Sequence, residues 1–159
     1  MMKPGLRSIL PFGLGEGPIT VDLADEPSAA DILTLERGLF AFEEARLGDP
    51  EHGHYTIFLR DRGGQIRGGA DCHALWHRLF LKTLWVAEEL RGQGFGTKLM
   101  ESVEREAAKR ACRSVWLTAL GDRACHFYDR LGYRVFGIHP DYVQGQALYS
   151  LRKDVVDPH

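Results

Sequence analysis

The chain has 159 residues, of which 44% are apolar, 26% charged and 10% aromatic, a balance that supports one folded core and excludes wholesale disorder. A formal net charge of −2 gives no global electrostatic reason to expect nucleic acid or an anionic membrane as partner. Cys72, Cys112 and Cys125 form no C-x-x-C pair, which argues against a disulfide framework and against a thiolate zinc site.

Residues 1–17 are rich in Gly and Pro and are expected to be irregular. Pro4, Gly5, Pro11 and Gly13 interrupt every apolar run there, so neither a signal peptide nor a membrane span is predicted, and a cytoplasmic location is the default. Ile19–Leu23 alternates as a short strand does. Ser28 is a suitable N-cap for a helix over Ala29–Ala45, with Ile32, Leu33, Leu35, Leu39, Phe40 and Phe42 covering one broad face. Leu47-Gly48-Asp49-Pro50 supplies the chemistry to end it. His54–Arg60 reads as a strand with its turn at Asp61-Arg62-Gly63-Gly64. Two further antiparallel strands fit Gly68–Trp76 and His77–Val86, although no Gly or Pro marks their boundary.

The period then changes. A helix is predicted from Gly94 to Arg110, burying Phe95, Leu99, Met100, Val103 and Ala107. Ser114–Leu120 is a buried strand, and Arg123–Leu131 is a short helix stopped by Gly132. Tyr133–Ile138 and Gln146–Leu151 would be the last strands, joined through His139-Pro140-Asp141. The order β-α-β-β-β-α-β-α-β-β implies an α/β (α+β) fold with a mixed sheet and helices on its faces. A single domain over 18–152 is expected, followed by a tail at 153–159.

The most informative segment is Arg91-Gly92-Gln93-Gly94-Phe95-Gly96-Thr97-Lys98, where three glycines alternate just as a helical stripe begins. Glycine permits positive φ and a close approach of backbone to ligand. The first N–H groups of a helix lack partners and its dipole favours an anion there, so strand, turn and helix start together make a phosphate cradle. Arg91 and Lys98 add positive charge. A Walker loop fails because Thr97-Lys98 follow Gly96 in the wrong order and spacing. A dinucleotide fingerprint fails because its third glycine would fall at Thr97.

Arg91-x-x-Gly94-x-Gly96 resembles the pyrophosphate loop of the GNAT family of N-acetyltransferases, Arg/Gln-x-x-Gly-x-Gly/Ala. Ala124-x-x-Phe127-Tyr128-x-x-x-Gly132-Tyr133 is similar to the second motif of that family, a short helix carrying a tyrosine before a Gly-aromatic turn. The similarity runs from about Ile19 to Leu151, and its specific part from Leu84 to Gly137. It implies a mostly antiparallel central sheet with one splayed strand pair that binds acetyl-CoA. Backbone N–H groups of Gln93, Gly94, Phe95, Gly96 and Thr97 would hold the pyrophosphate, with Gly92 in the turn and Arg91 beside it. Leu84, Trp85 and Val86 would pair with the pantetheine arm, and the gap towards Val115–Leu120 would receive the thioester. An N–H near Trp85 or Val86 would polarise the acetyl carbonyl. The family often carries Asn where this chain has Gly121; Thr118, Asp122 or a backbone group would then replace that contact.

The chemistry needs a neutral amine as nucleophile and a donor for the departing thiolate. Tyr128 suits the donor role, because a phenol of ordinary pKa near 10 stays protonated at neutral pH; the bland alternative is that Phe127 and Tyr128 only pack their helix. Glu88 is the candidate base, with Glu89, Asp71 and His73 as competitors, the last two on one strand face. Trp76, Trp85 and Tyr142 are candidate walls of an acceptor pocket between the first helical region and the ends of the middle strands, and Glu43 and Glu44 could attract a cation to it. His52-x-His54 falls in an expected loop without a third ligand in reach, so no metal site is expected. Cys125, at i, i+3 from Tyr128, is expected to pack and not to act as a nucleophile. The leading expectation is acetyl transfer to a small-molecule primary amine. The alternatives are a protein lysine or N-terminal acceptor, and a CoA-binding sensor module without turnover. Homodimerisation through the terminal strands is compatible with this pattern.

Overall fold

The computed structural model describes residues 8–9, 19–49 and 51–155, as two compact units that divide between Gly48 and Asp49. In the first unit, β1 (Ser8–Ile9) pairs antiparallel with β2 (Thr20–Val21). A two-residue strand leaves no alternation to read, so the expectation of an irregular segment missed β1; the rest of 1–17 lies outside the described residues. The helix α1 spans Ala29–Leu47 and begins as the sequence indicated: Ser28 is its N-cap, and its Oγ accepts the Asp31 N–H at 3.1 Å. Gly48 ends it at φ 87°, donating its N–H to Glu44 at 2.9 Å.

The second unit is a six-stranded sheet in the order β3-β4-β5-β6-β8-β7, with two helices. Its strands are β3 (Gly53–Arg60), β4 (Ile66–Leu75), β5 (Arg78–Val86), β6 (Ser114–Leu120), β7 (Arg134–Val143) and β8 (Gln146–Asp154). All neighbours are antiparallel except β5 and β6. That parallel pair needs a crossover, which α2 (Phe95–Lys109) provides. The third helix, α3 (Gly121–Arg130), starts directly from the end of β6.

Two hairpins turn where the sequence carried little signal. The β4–β5 connection is Trp76-His77, both left-handed at φ 45° and 57° without a glycine to announce it. The β7–β8 turn is Gln144-Gly145, at φ 49° and 75°. His139-Pro140-Asp141, expected as that connection, instead forms an irregularity inside β7, where the register with β8 shifts between His139 and Val143. The last strand also runs past Leu151 to Asp154, and Lys153 Nζ meets Glu104 Oε2 of α2 at 2.7 Å.

Alternation along β4 and β6 builds the core. Ala70, Cys72 and Ala74 on β4, Leu79 and Leu81 on β5, and Val115, Leu117 and Ala119 on β6 form a buried cluster with Met100, Val103 and Ala107 of α2 and Cys125 and Tyr128 of α3. The α2 stripe is the predicted one, except that Phe95 at the helix start is half-buried. Each large apolar side chain covered this way contributes roughly 1.5–3 kcal/mol. The opposite side of the strands carries the polar alternates: Asp71 is cross-strand from Thr83 and Thr56, and His73 from His54 and Phe80.

Candidate active site

The strands β5 and β6 separate. Their pairing runs from Arg78↔Ser114 to Leu81↔Leu117 and stops, while β6 stays paired with β8 as far as Leu120↔Leu148. The cause lies one residue further along β5. Asp71 pairs with Thr83 but Cys72 pairs with Leu81, so Lys82 is an extra residue, a β-bulge. A bulge bends its strand and increases the local twist. Residues 82–86 consequently keep β4 as neighbour and leave their other edge without a strand among the described residues. A Cβ on Gly68 would lie 2.7 Å from the Trp85 carbonyl oxygen, so that glycine allows β4 to hug this end of β5. Leu84 is half-buried against the core, Val86 is half-buried, and Trp85 is 47% exposed.

The chain leaves β5 through a 3₁₀ turn at Glu88–Leu90 that four contacts hold in place. Ala87 donates its N–H to Arg67 at 2.8 Å, and the Arg67 guanidinium pairs with Glu89. Arg91 Nε donates to the Val86 carbonyl at 3.0 Å, and Gln93 Nε2 donates to the Glu89 carbonyl at 2.8 Å. Arg91 therefore ties the strand end to the turn, a structural role beyond its expected place beside an anion, and its terminal guanidinium nitrogens make no hydrogen bond to the described residues. Gly92 and Gly94 both have positive φ, 72° and 83°, and a Cβ on either would meet nothing within 4 Å. Gly94 is the N-cap of α2, and no side chain among the described residues caps the N–H groups of Phe95, Gly96 and Thr97. The first intrahelical bond is Lys98 N–H to Gly94 O, 3.1 Å. Three backbone donors at the positive end of the helix dipole thus open beside the free edge of β5.

Gly96 has a different task from its neighbours. Its Cβ would reach Phe127 Cζ at 3.2 Å, so its small size lets the first turn of α2 sit against α3. Phe127 is thereby a packing residue, as the bland reading of the aromatic pair held. Tyr128, next to it, is buried with 8% of its surface exposed, and burial pushes its phenol up to about 12. Its hydroxyl makes no hydrogen bond to the described residues. Cys125 is buried as well, and burial first, then Asp129 and Asp122, raise its thiol, which favours packing over thiolate chemistry.

Thr118 is exposed on β6 next to Ser150 of β8, beyond the point where β5 leaves. Gly121 opens α3 at φ 77°, and a Cβ there would collide with the Gln146 side chain. The Gln146 amide thus fills the space where a residue-121 side chain would begin. Asp122 is engaged by the Tyr149 hydroxyl. Glu88 is exposed at the start of the 3₁₀ turn and forms no ion pair with the described residues. The three aromatic wall candidates do not converge: Trp76 sits in the β4–β5 turn, Trp85 is at the other end of β5, and Tyr142 is on the edge strand β7. The length of β5 holds Trp76 and Trp85 apart, and the strand order puts Tyr142 at the far edge of the sheet.

His54 lies in β3, as the strand reading of His54–Arg60 had it and not in the loop given to His52-x-His54. Strand pairing corrects the expectation that no third ligand is in reach: its Nε2 is 2.7 Å from Asp71 Oδ1, and its ring stacks on His73 at 4.3 Å and 9°. Thr56 Oγ1 donates to the same carboxylate oxygen at 3.1 Å. The His54 hydrogen bond, above the other causes, holds the Asp71 carboxyl below its ordinary range.

A family model described as "Acetyltransferase (GNAT) family" matches residues 21–133. An acetyltransferase of Agrobacterium fabrum is 29% identical over 131 residues, 82% of this chain and 96% of its own. Blasticidin-S acetyltransferase of Streptomyces morookaense is 30% identical over 102 residues, 64% of this chain and 75% of its own. A solved structure from Agrobacterium tumefaciens, also described as an acetyltransferase, superposes with a TM-score of 0.79 at 29% identity, covering 83% of this chain and 96% of its own. No helix among the described residues is long and apolar enough to cross a membrane.

Proposed function

The chain belongs to the acetyltransferase (GNAT) family and is an N-acetyltransferase, and on that premise we propose that it moves the acetyl group of acetyl-CoA directly to the primary amine of a small molecule. The observation that carries this reading is the opening of β5 away from β6 beyond Leu81 and Leu117, beside the uncapped start of α2. An extended pantetheine arm needs a free strand edge, and a pyrophosphate needs unpaired donors at the end of that edge. Both lie within one continuous segment, Leu84–Thr97. The small-molecule acceptor draws support from the blasticidin-S acetyltransferase relative.

Acetyl-CoA, when bound, supplies an activated acyl group whose C–S bond breaks as the new C–N bond forms. The residues of this chain orient that exchange. Leu84, Trp85 and Val86 hold the arm by their backbone, and an N–H at the strand end stabilises the developing oxyanion. Phe95, Gly96 and Thr97 present N–H groups to phosphate oxygens, with Gln93, Gly94 and the Arg91 guanidinium beside them. Thr118 borders the gap from the β6 side. Tyr128 gives its phenolic proton to the departing thiolate; burial, which pushes its pKa up to about 12, keeps it protonated at neutral pH while making it a weaker acid. Glu88 accepts the proton that the amine must lose, directly or through water. Asp71 suits that role less, since the His54 hydrogen bond favours its ionised form and so lowers its basicity.

Incubating the full chain with acetyl-CoA and a panel of small amines, with free thiol as readout, tests the proposal. Amine-dependent thiol release is the expected result. Release only with lysine or N-terminal peptides would move the acceptor to protein, and saturable CoA binding without release from any amine would replace the proposal with a sensor module.

A further inference from the structure

We infer that His54, Asp71 and His73 form a binding site for a divalent transition-metal ion of the zinc class. The residues come from neighbouring strands at positions that pairing fixes: His54 is opposite His73, and Asp71 is opposite Thr56. All three side chains therefore project from the same side of the sheet, and one ligand atom from each lies within 4.8 Å of the others. His54 Nε2 is 2.7 Å from Asp71 Oδ1, and His73 Nε2 is 3.5 Å from Asp71 Oδ2. Ligand atoms around a tetrahedral zinc ion, at bonds near 2.0–2.2 Å, stand about 3.4 Å apart. The His54 and His73 rings are stacked at 4.3 Å and 9°, so both must turn out of that stack for their nitrogens to aim at one ion.

Two independent features point to a cation there. The Nε2 atom of His73 is buried yet makes no hydrogen bond to the described residues, standing 3.5 Å from Asp71 Oδ2, a state that costs desolvation free energy unless something binds it. The Asp71 carboxylate is also already supported from outside, because Thr56 Oγ1 donates to Oδ1 at 3.1 Å. That is the arrangement by which an outer partner fixes a ligating carboxylate. Two imidazoles and one carboxylate suit zinc, cobalt or nickel, whereas calcium and magnesium need mostly oxygen donors. His54 is 61% exposed at its side chain, so the cluster lies at the protein surface. Metal binding at this cluster does not depend on the transferase reading, and its test requires no turnover.

The experiment is calorimetric titration of the full chain with ZnCl₂, alongside visible absorption with Co²⁺. One zinc per chain is expected, with the d–d bands of a four-coordinate site in the cobalt form. His54→Gln, Asp71→Asn and His73→Gln are each expected to weaken zinc binding at least tenfold, and Thr56→Val to weaken it less, with unchanged far-UV circular dichroism in every variant. Absence of saturable binding by the unaltered chain would overturn the inference, as would full zinc affinity in folded His73→Gln or Asp71→Asn. If a variant loses its fold, the cobalt spectrum of the unaltered chain still decides: six-coordinate bands or none would refute the site.

Discussion

Tyr133 donates its backbone N–H to the carbonyl of Tyr128 at 3.0 Å, and the two rings meet edge to face with centroids 5.8 Å apart. Gly132, between the end of α3 and this bond, adopts φ 89° and donates to Asp129 at 2.9 Å. The two hydrogen bonds make a Schellman end, and the aromatic contact is the apolar closure such ends often carry. Tyr133 is fully buried, so the helix that bears Tyr128 is anchored at its C-terminus by the core itself.

Gly132→Ala is therefore expected to destabilise the protein by about 1–2 kcal/mol, because a Cβ is strained in the left-handed region. Urea unfolding of the variant checks this. An unchanged midpoint would show that α3 does not need this end.

Tyr128→Phe is expected to lower turnover about a hundredfold or more while CoA affinity stays the same, the signature of a proton donor acting in the transition state. An unaltered rate would remove Tyr128 from the chemistry. The acid form persists up to about 12, so the rate is not expected to fall between pH 8 and about 11 through loss of this proton. Stability follows the same shift. An unfolded tyrosine ionises near 10 while the folded one keeps its proton, so the contribution of Tyr128 is complete below pH about 10 and is lost as pH rises towards 12. Urea unfolding of Tyr128→Phe beside the unaltered chain across that range isolates the effect.

The glycines of the turn are expected to separate by function. Gly94→Val places a β-branched side chain at φ 83° beside the uncapped N–H groups, and is expected to raise the dissociation constant for CoA at least tenfold as well as to cost stability through backbone strain. Gly96→Val instead drives a side chain into Phe127 and is expected to lower the melting temperature, at a cost of about 1–3 kcal/mol. Calorimetric binding and thermal unfolding of both variants distinguish the two effects. Undiminished CoA affinity in Gly94→Val, or a loss of CoA affinity in folded Gly96→Val as large as in Gly94→Val, would refute the division.

Arg91→Lys is expected to behave nearly as badly as Arg91→Ala in CoA binding. Lysine keeps the charge but loses the planar Nε donor that meets the Val86 carbonyl at 3.0 Å, and with it the tie between strand end and turn. Full rescue by lysine would show that charge alone matters at this position.

The sequence by itself determined what depends on near neighbours along the chain. Ser28 as the cap of α1, the buried stripe of α2, the span of β6 and the glycine stop of α3 are all local, and each was legible from period and capping chemistry. The glycine-rich turn at Arg91–Gly96, which leads into the uncapped start of α2, and the short helix that carries Phe127-Tyr128 were legible too, because each occupies contiguous residues. Tertiary structure decided what depends on register across strands. The bulge at Lys82 left no mark in composition, yet it falls where the pairing of β5 with β6 ends. The Trp76-His77 turn, reached without a glycine, defines the β4–β5 hairpin that sets this register. Cross-strand pairing alone brings His54 to Asp71 and His73, and helix packing alone brings Gly96 to Phe127. A strand's side chains alternate with period two, so shifting a pairing by one residue changes which residues meet and which face they occupy. That choice is made by the partner strand and is not written in either strand alone.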